Sequence, residues 1–239
     1  MTEVKLFCFP FAGGSATVFN QWRQFLQKDI ELAPMELAGR GRRIRDPHYD
    51  SIAEAADDVY CKIVQDLDVV PYALFGHSMG SAIALELTYK IIAQGHKMPI
   101  HIFFSGRNAP HVPKDDEKMF HLMSEEQFRT EVVELGGTPK EFFEHPELME
   151  IFLPLLRNDF KNNETYAQDE NSIKPLDCNI TAMYGKEDDM ITSNIEEWRK
   201  YSKQDFRLHT FDGDHFYLFD NAEVVIDFIN DILAGELSG

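Results

Sequence analysis

The sequence predicts an α/β protein, a mostly parallel sheet with helices on both faces. Three observations carry this. Apolar runs of strand length alternate with segments of helical spacing along most of the chain. Runs such as Val4-Lys5-Leu6-Phe7-Cys8-Phe9 and Tyr72-Ala73-Leu74-Phe75 are nearly continuously apolar, the mark of buried strands. A serine between two glycines, Gly76-His77-Ser78-Met79-Gly80, sits where one such strand passes into an apolar helix. The 239 residues suit one domain, 1–239, with a single sizeable core.

In chain order, a strand over Val4–Phe9 ends at Pro10 and the pair Gly13-Gly14. Helical spacing follows over Thr17–Lys28, with Val18, Trp22, Phe25 and Leu26 on one side. Ile30–Met35 is a second strand. Ser51 opens a helix with Glu54 at the capping-box position, and Ile52, Ala55, Ala56, Val59, Ile63 and Leu67 share its apolar face. Tyr72–Phe75 is a strand, Ser81–Gln94 a helix and His101–Phe104 a strand. Late in the chain come a strand at Ile180–Tyr184, a helix at Ile195–Tyr201, a strand at Phe206–Phe211 and a helix at Ala222–Leu233. Right-handed crossovers are expected, with functional groups beyond the carboxyl ends of the strands.

The interval from about 107 to 171 breaks this rhythm. It has no clear strand and is too long to be a bare loop. Ser124–Leu135 reads as a helix with a capping box from Ser124 to Gln127, and Pro139–Glu144 and Pro146–Leu156 read as two more. Its apolar content exceeds the need of one thin layer, which suggests a helical lid over the strand ends.

Composition narrows the function classes. With 44% hydrophobic and 12% aromatic residues the chain is an ordinary globular one. No apolar run is long enough to cross a bilayer, and no secretion signal is expected at the N-terminus. Three scattered cysteines, Cys8, Cys61 and Cys178, argue against a disulfide framework or a metal knuckle, and for the cytoplasm. A formal net charge of −18 repels phosphate backbones, so nucleic acid is not an expected partner. No metal, cofactor or membrane is expected, and the chain is expected to be a monomer.

The Gly76-x-Ser78-x-Gly80 pattern fits a nucleophile elbow. The strand-to-helix turn is too tight for side chains at the flanking positions, and it holds the serine hydroxyl clear of the sheet at a helix N-terminus. A serine nucleophile needs a base, and the base an orienting acid. Two late strand tips supply them: Gly185-Lys186-Glu187-Asp188-Asp189 and Asp212-Gly213-Asp214-His215. His215 is the base. Asp188 is the preferred acid, with Asp189 second and Asp212, Asp214 and Asp220 as minor candidates. An oxyanion needs two N–H donors: Met79 directly after the serine, and Ala12, or else Phe11, in the loop Phe9-Pro10-Phe11-Ala12-Gly13-Gly14.

The stretches FCFPFAGGSA, ELAGRGRR, FGHSMG, SGRNAPH, ELGGTPKEFFEHPELMEIFLPLLRNDF and FDGDHFYL, in this order from about residue 6 to 218, resemble the type II thioesterases of nonribosomal peptide and polyketide synthesis. The resemblance implies the α/β-hydrolase fold with a mobile helical lid. It implies an editing activity: hydrolysis of misprimed or stalled acyl and aminoacyl thioesters from the phosphopantetheine arm of acyl and peptidyl carrier proteins. Carried onto this chain, the family's triad falls on Ser78, Asp188 and His215, and its oxyanion donors on Met79 and Ala12. Three positions depart from the family's usual pattern: Phe11 where histidine is common, Ala38 where proline is, and Asp214 where glycine is.

Carrier proteins are usually acidic, as this chain is, so attraction must be local or apolar. The dense basic cluster Arg40, Arg42, Arg43 and Arg45 is a candidate carrier-facing surface, against internal ion pairing as the alternative. Other readings are a product-releasing medium-chain acyl-carrier thioesterase, a carboxylesterase, or a noncatalytic binder on a hydrolase scaffold. A deep apolar channel would favour chain release, a shallow pocket editing.

Overall fold

The computed structural model describes residues 3–113, 118–137, 145–191 and 193–238. Six strands form one sheet: β1 (Val4–Phe9), β2 (Ile30–Pro34), β3 (Tyr72–His77), β4 (His101–Ser105), β5 (Asn179–Gly185) and β6 (Phe206–Phe211). Their spatial order is β2-β1-β3-β4-β5-β6, and every neighbouring pair is parallel. All six end on the same edge, so the loops after them converge there.

Period-two alternation assigns the two faces. Phe7 and Phe9 of β1 pack with Leu74 and Phe104 against helices α1 (Ile52–Ile63) and α2 (Met79–Ala93). Leu6 and Cys8 face the other way, with Ala73, Phe75 and Phe103, against the C-terminal helix Ala222–Ser238. Helices therefore cover both faces. In α2 ten residues are buried, which is why this helix reads as apolar all round rather than amphipathic.

Two expected helices are 3-10 segments instead, Ala16–Gln24 and Ser193–Tyr201. The physical reason is the spacing of the side chains they bury. Phe19 and Trp22 stand three apart, as do Ile195, Trp198 and Tyr201, and a 3-10 turn places every third residue on one face. Trp198 stacks on Phe104 with ring centroids 3.8 Å apart, tying the second segment to β4.

Ser51 caps α1 by accepting the Glu54 N–H, while the Glu54 carboxylate reaches back to the N–H of Asp50 rather than Ser51. Between β4 and β5, α3 (Glu125–Leu135) starts at Ser124 with a complete capping box. Helix α4 runs over Pro146–Thr165, nine residues beyond the expected end at Leu156, with Pro154 inside it. Pro146 at its first turn fits the helix start. The expected helix over 139–144 lies outside the described residues. After β6 come α5 (Tyr217–Asp220) and α6 (Ala222–Ser238). Among the described residues, no helix is long and apolar enough to cross a membrane. The three cysteines are free, Cys8 and Cys178 buried and Cys61 exposed.

Candidate active site

The corner between β3 and α2 has the geometry its glycines demand. Ser78 has φ 53° and ψ −115°, and among the described residues it is the one non-glycine residue with positive φ. Such backbone costs of order 1–3 kcal/mol and persists only where its surroundings impose it. They do so here. A Cβ at Gly76 would lie 2.2 Å from the carbonyl oxygen of Gly80, and a Cβ at Gly80 would lie 2.1 Å from that of Phe9. The Ser78 N–H donates to Ser105 O at 2.8 Å. Ser81 Oγ donates to Gly76 O and Ser105 O, at 2.8 and 3.0 Å, tying the first turn of α2 to β4.

The loop after β6 brings His215 to this corner. Its Nδ1 lies 2.8 Å from Asp188 Oδ2, in the loop after β5. Asp188 Oδ1 accepts the Met190 N–H at 3.0 Å, so both carboxylate oxygens are engaged. The Asp188 side chain is fully buried and that of His215 nearly so. A carboxylate held this way accepts from Nδ1–H and leaves Nε2 as the basic nitrogen. The alternatives sit elsewhere. Asp189 is exposed, Asp212 pairs with Lys186, and Asp214 accepts the Phe216 N–H. Asp220 lies in α5, exposed.

Ser78 and His215 line one cavity of about 20 Å³, together with Ala12 and Phe11 of the β1 loop. Val132 and Leu135 of α3 and Leu156 and Phe160 of α4 also line it, so the helical segment between β4 and β5 contributes to its wall. Met79, the first residue of α2, directly follows Ser78 and is buried. Phe11 packs edge-on against Phe216, His77 and Phe219 and forms part of an aromatic wall.

Four contributors, His77, Ser105, Tyr217 and Gly106, are not evident from the sequence pattern. His77 stacks obliquely on His215, with centroids 4.8 Å apart. Burial, and then the neighbouring His215, hold its pKa well below the usual imidazole value, so it stays neutral. Its Nδ1 is 2.8 Å from Ser105 Oγ, which is 2.7 Å from the Tyr217 hydroxyl. Gly106, with φ 59°, completes the group: a Cβ there would lie 2.6 Å from His77 and 3.1 Å from His215. The available signal was the pair Ser105-Gly106 within SGRNAPH.

The arginine cluster divides. Arg40 is 3% exposed and paired with Asp159 of α4, and Arg43 pairs with Asp46 and Asp58. These two are engaged within the fold, as the ion-pairing alternative expects, so the whole cluster does not face a partner. The reason is that each finds a carboxylate at hydrogen-bonding distance within the fold. Arg42 and Arg45 are exposed.

A parallel sheet with a serine at the β3–α2 corner, a histidine after the last strand and a buried acid after the preceding one defines a serine hydrolase of the α/β-hydrolase fold. The Thioesterase domain family matches residues 4–233, and the chain belongs to that family. It is 37% identical over 232 residues to the gramicidin S biosynthesis protein GrsT of Aneurinibacillus migulanus, covering 95% of this chain and 88% of that protein. It is 35% identical over 229 residues to the medium-chain S-acyl fatty acid synthase thioesterase of Rattus norvegicus, covering 94% and 86%. The crystal structure of ClbQ from the colibactin NRPS/PKS pathway superposes with a TM-score of 0.91 at 34% identity, over 100% of both chains. The type II thioesterase YbtT of the yersiniabactin NRPS/PKS pathway does so with 0.86 at 29% identity, over 95% and 92%.

Proposed function

We propose that this enzyme is a type II, editing thioesterase. It hydrolyses acyl or aminoacyl groups from the phosphopantetheine arm of carrier proteins of a nonribosomal peptide or polyketide synthetase. The observation that carries the chemistry is the buried Asp188–His215 pair opening into the same cavity as the strained Ser78. The similarity to GrsT, ClbQ and YbtT supports the substrate class.

In this reading Ser78 Oγ attacks the thioester carbonyl as His215 Nε2 takes its proton, and Asp188 holds the imidazolium that forms. The oxyanion receives the N–H groups of Met79 and Ala12. Collapse breaks the C–S bond. The pantetheine sulfur leaves with the proton that His215 gives back, which frees Nε2 again; a thiol pKa of about 8.5 makes it a good leaving group at neutral pH. Water, deprotonated by His215, then attacks the acyl-Ser78 ester, and collapse of the second oxyanion returns the proton to Ser78 and releases the acid. The reaction needs no cofactor beyond the arm the partner brings.

The helices α3 and α4 act as the lid. The lid side chains Val132, Leu135, Leu156 and Phe160 stand on the cavity wall, where they bound the acyl group. We place the enzyme in the cytoplasm as a monomer, with Arg42 and Arg45 as the part of the basic cluster open to a carrier. A fluorophosphonate probe tests the nucleophile. It should label wild type at Ser78 and leave Ser78→Ala unlabelled; a folded wild-type chain that never labels would support a noncatalytic binder.

A further inference from the structure

Helix α4 does more than roof the cavity. Its residues Phe152, Leu156, Asp159, Phe160 and Asn163 recur at helical spacing, so they share one face. Leu156, Phe160 and Asn163 line the cavity. Asp159 on the same face reaches the loop after β1: its Oδ2 accepts the Gly13 N–H at 2.8 Å. That loop is a turn closed by Gly14 N–H to Phe11 O at 2.9 Å, and Gly13 has φ 76°. Leu156 presses on the same point, since a Cβ at Gly13 would lie 2.6 Å from its Cδ1.

Arg40 completes the arrangement. Its guanidinium forks both Asp159 oxygens, at 2.7 and 3.0 Å, and Nη1 also donates to Gly14 O at 3.1 Å. Nε donates to Ala38 O at 3.2 Å, anchoring the arginine to its own loop. The turn is therefore held by an acceptor at Gly13 N–H and a donor at Gly14 O, both from one ion pair that is almost wholly buried. The Ala12 amide lies between Phe11 O and Gly13 N–H, on the wall shared with Ser78.

We propose that Asp159 and Arg40 are positioning residues that fix the 11–14 turn so that the Ala12 N–H faces the oxyanion, coupling the seating of α4 to the competence of the oxyanion hole. When α4 is seated, the donor is aimed. When it lifts to admit the pantetheine arm, Gly13 loses its acceptor and the turn is free to rotate. Hydrolysis then waits for closure over a bound acyl group. This rests on the thioesterase reading and specifies how the site is regulated.

Single substitutions at Asp159 or Arg40 leave a buried charge unpaired and risk unfolding. The test therefore uses two double variants that carry no unpaired charge: Arg40→Met with Asp159→Leu, which leaves Gly13 no acceptor, and Arg40→Met with Asp159→Asn, whose amide oxygen can still accept. Hydrolysis of acetyl-S-N-acetylcysteamine is measured together with the affinity for an alkylthio trifluoromethyl ketone. Ser78 adds to that ketone, its proton passes to His215, and the ketone oxygen becomes an oxyanion. The Leu double variant should lose roughly 10²-fold in kcat with KM nearly unchanged, and the same factor in ketone affinity. The Asn double variant should recover most of both. Wild-type kcat and ketone affinity in the Leu variant, a loss confined to KM, or no recovery with Asn would overturn the coupling while leaving the thioesterase reading intact. A wild-type enzyme that neither hydrolyses the thioester nor binds the ketone overturns that reading itself and the coupling with it.

Discussion

Asp188 and His215, 27 residues apart in sequence, meet at 2.8 Å in a buried contact at the tips of β5 and β6, while the adjacent Asp189 faces solvent. The contact predicts an asymmetry. Asp188→Asn should keep the fold and lower kcat by about 10⁴-fold, because an amide favours the wrong tautomer of His215. Asp189→Asn should remain within about twofold of wild type, as exposed changes away from the reacting groups do. Steady-state kinetics on an acyl thioester decides it, and equal losses at both positions would contradict the assignment.

Ser78 adopts its φ of 53° against the preference of its own backbone. Glycine meets no such penalty. Ser78→Gly should therefore be inactive yet more stable than wild type by about 1 kcal/mol in urea unfolding. Gly76→Ala should do the reverse, since its Cβ meets backbone 2.2 Å away. A loss of about 3 kcal/mol or outright failure to fold is expected there. Gly95→Ala, with nothing within 4 Å but φ 78°, should cost only about 1 kcal/mol.

His77 gives stability a pH dependence. Its native pKa is depressed, by burial first and by His215 second. The unfolded chain therefore takes up the proton first as pH falls. Above about pH 6.5 both states are neutral and nothing is lost; below it, stability falls by up to about 1.4 kcal/mol per pH unit until the native pKa is reached. Burial depresses His101 too, against the opposing pull of Glu236, so the total slope has more than one source. Urea unfolding at pH 7.5, 6.0 and 5.0 should show a shallower slope for His77→Asn than for wild type. An unchanged slope would mean that His77 protonates freely in the native state.

Arg43 and Arg42 should behave differently although adjacent. Arg43→Glu places a third negative charge beside Asp46 and Asp58 and should destabilise the fold, visible as a lowered Tm. Reversal of exposed Arg42 and Arg45 to Glu should leave Tm nearly unchanged and raise KM for a carrier-bound substrate more than for acetyl-CoA. Equal effects on both substrates would remove these arginines from the carrier surface.

Much of this was legible in the sequence because single residues carried geometric demands. The two glycines around Ser78 announced a corner that no Cβ fits, and the apolar β1 and β3 runs announced buried parallel strands. His215 stood out by its place at the last strand tip. What escaped depended on contacts distant in sequence. Arg40 reads as surface charge until Asp159, 119 residues later, is seen beside it. The choice of Asp188 over Asp189 turns on which neighbour is buried, a property adjacent residues do not display. The 3-10 segments were readable in principle, since Ile195, Trp198 and Tyr201 recur every third residue, but that spacing also fits part of an α-helical face.

Two assignments are at stake together, Ser78 as the nucleophile and a carrier protein as the bearer of the thioester. The most direct measurement compares hydrolysis of an acetylated holo-carrier protein, acetyl-CoA and a simple oxygen ester by wild type and by Ser78→Ala. The wild-type enzyme should clearly prefer the carrier substrate, and the alanine variant should be inactive. Preference for the oxygen ester would contradict the carrier partner, and full activity in Ser78→Ala would contradict the nucleophile.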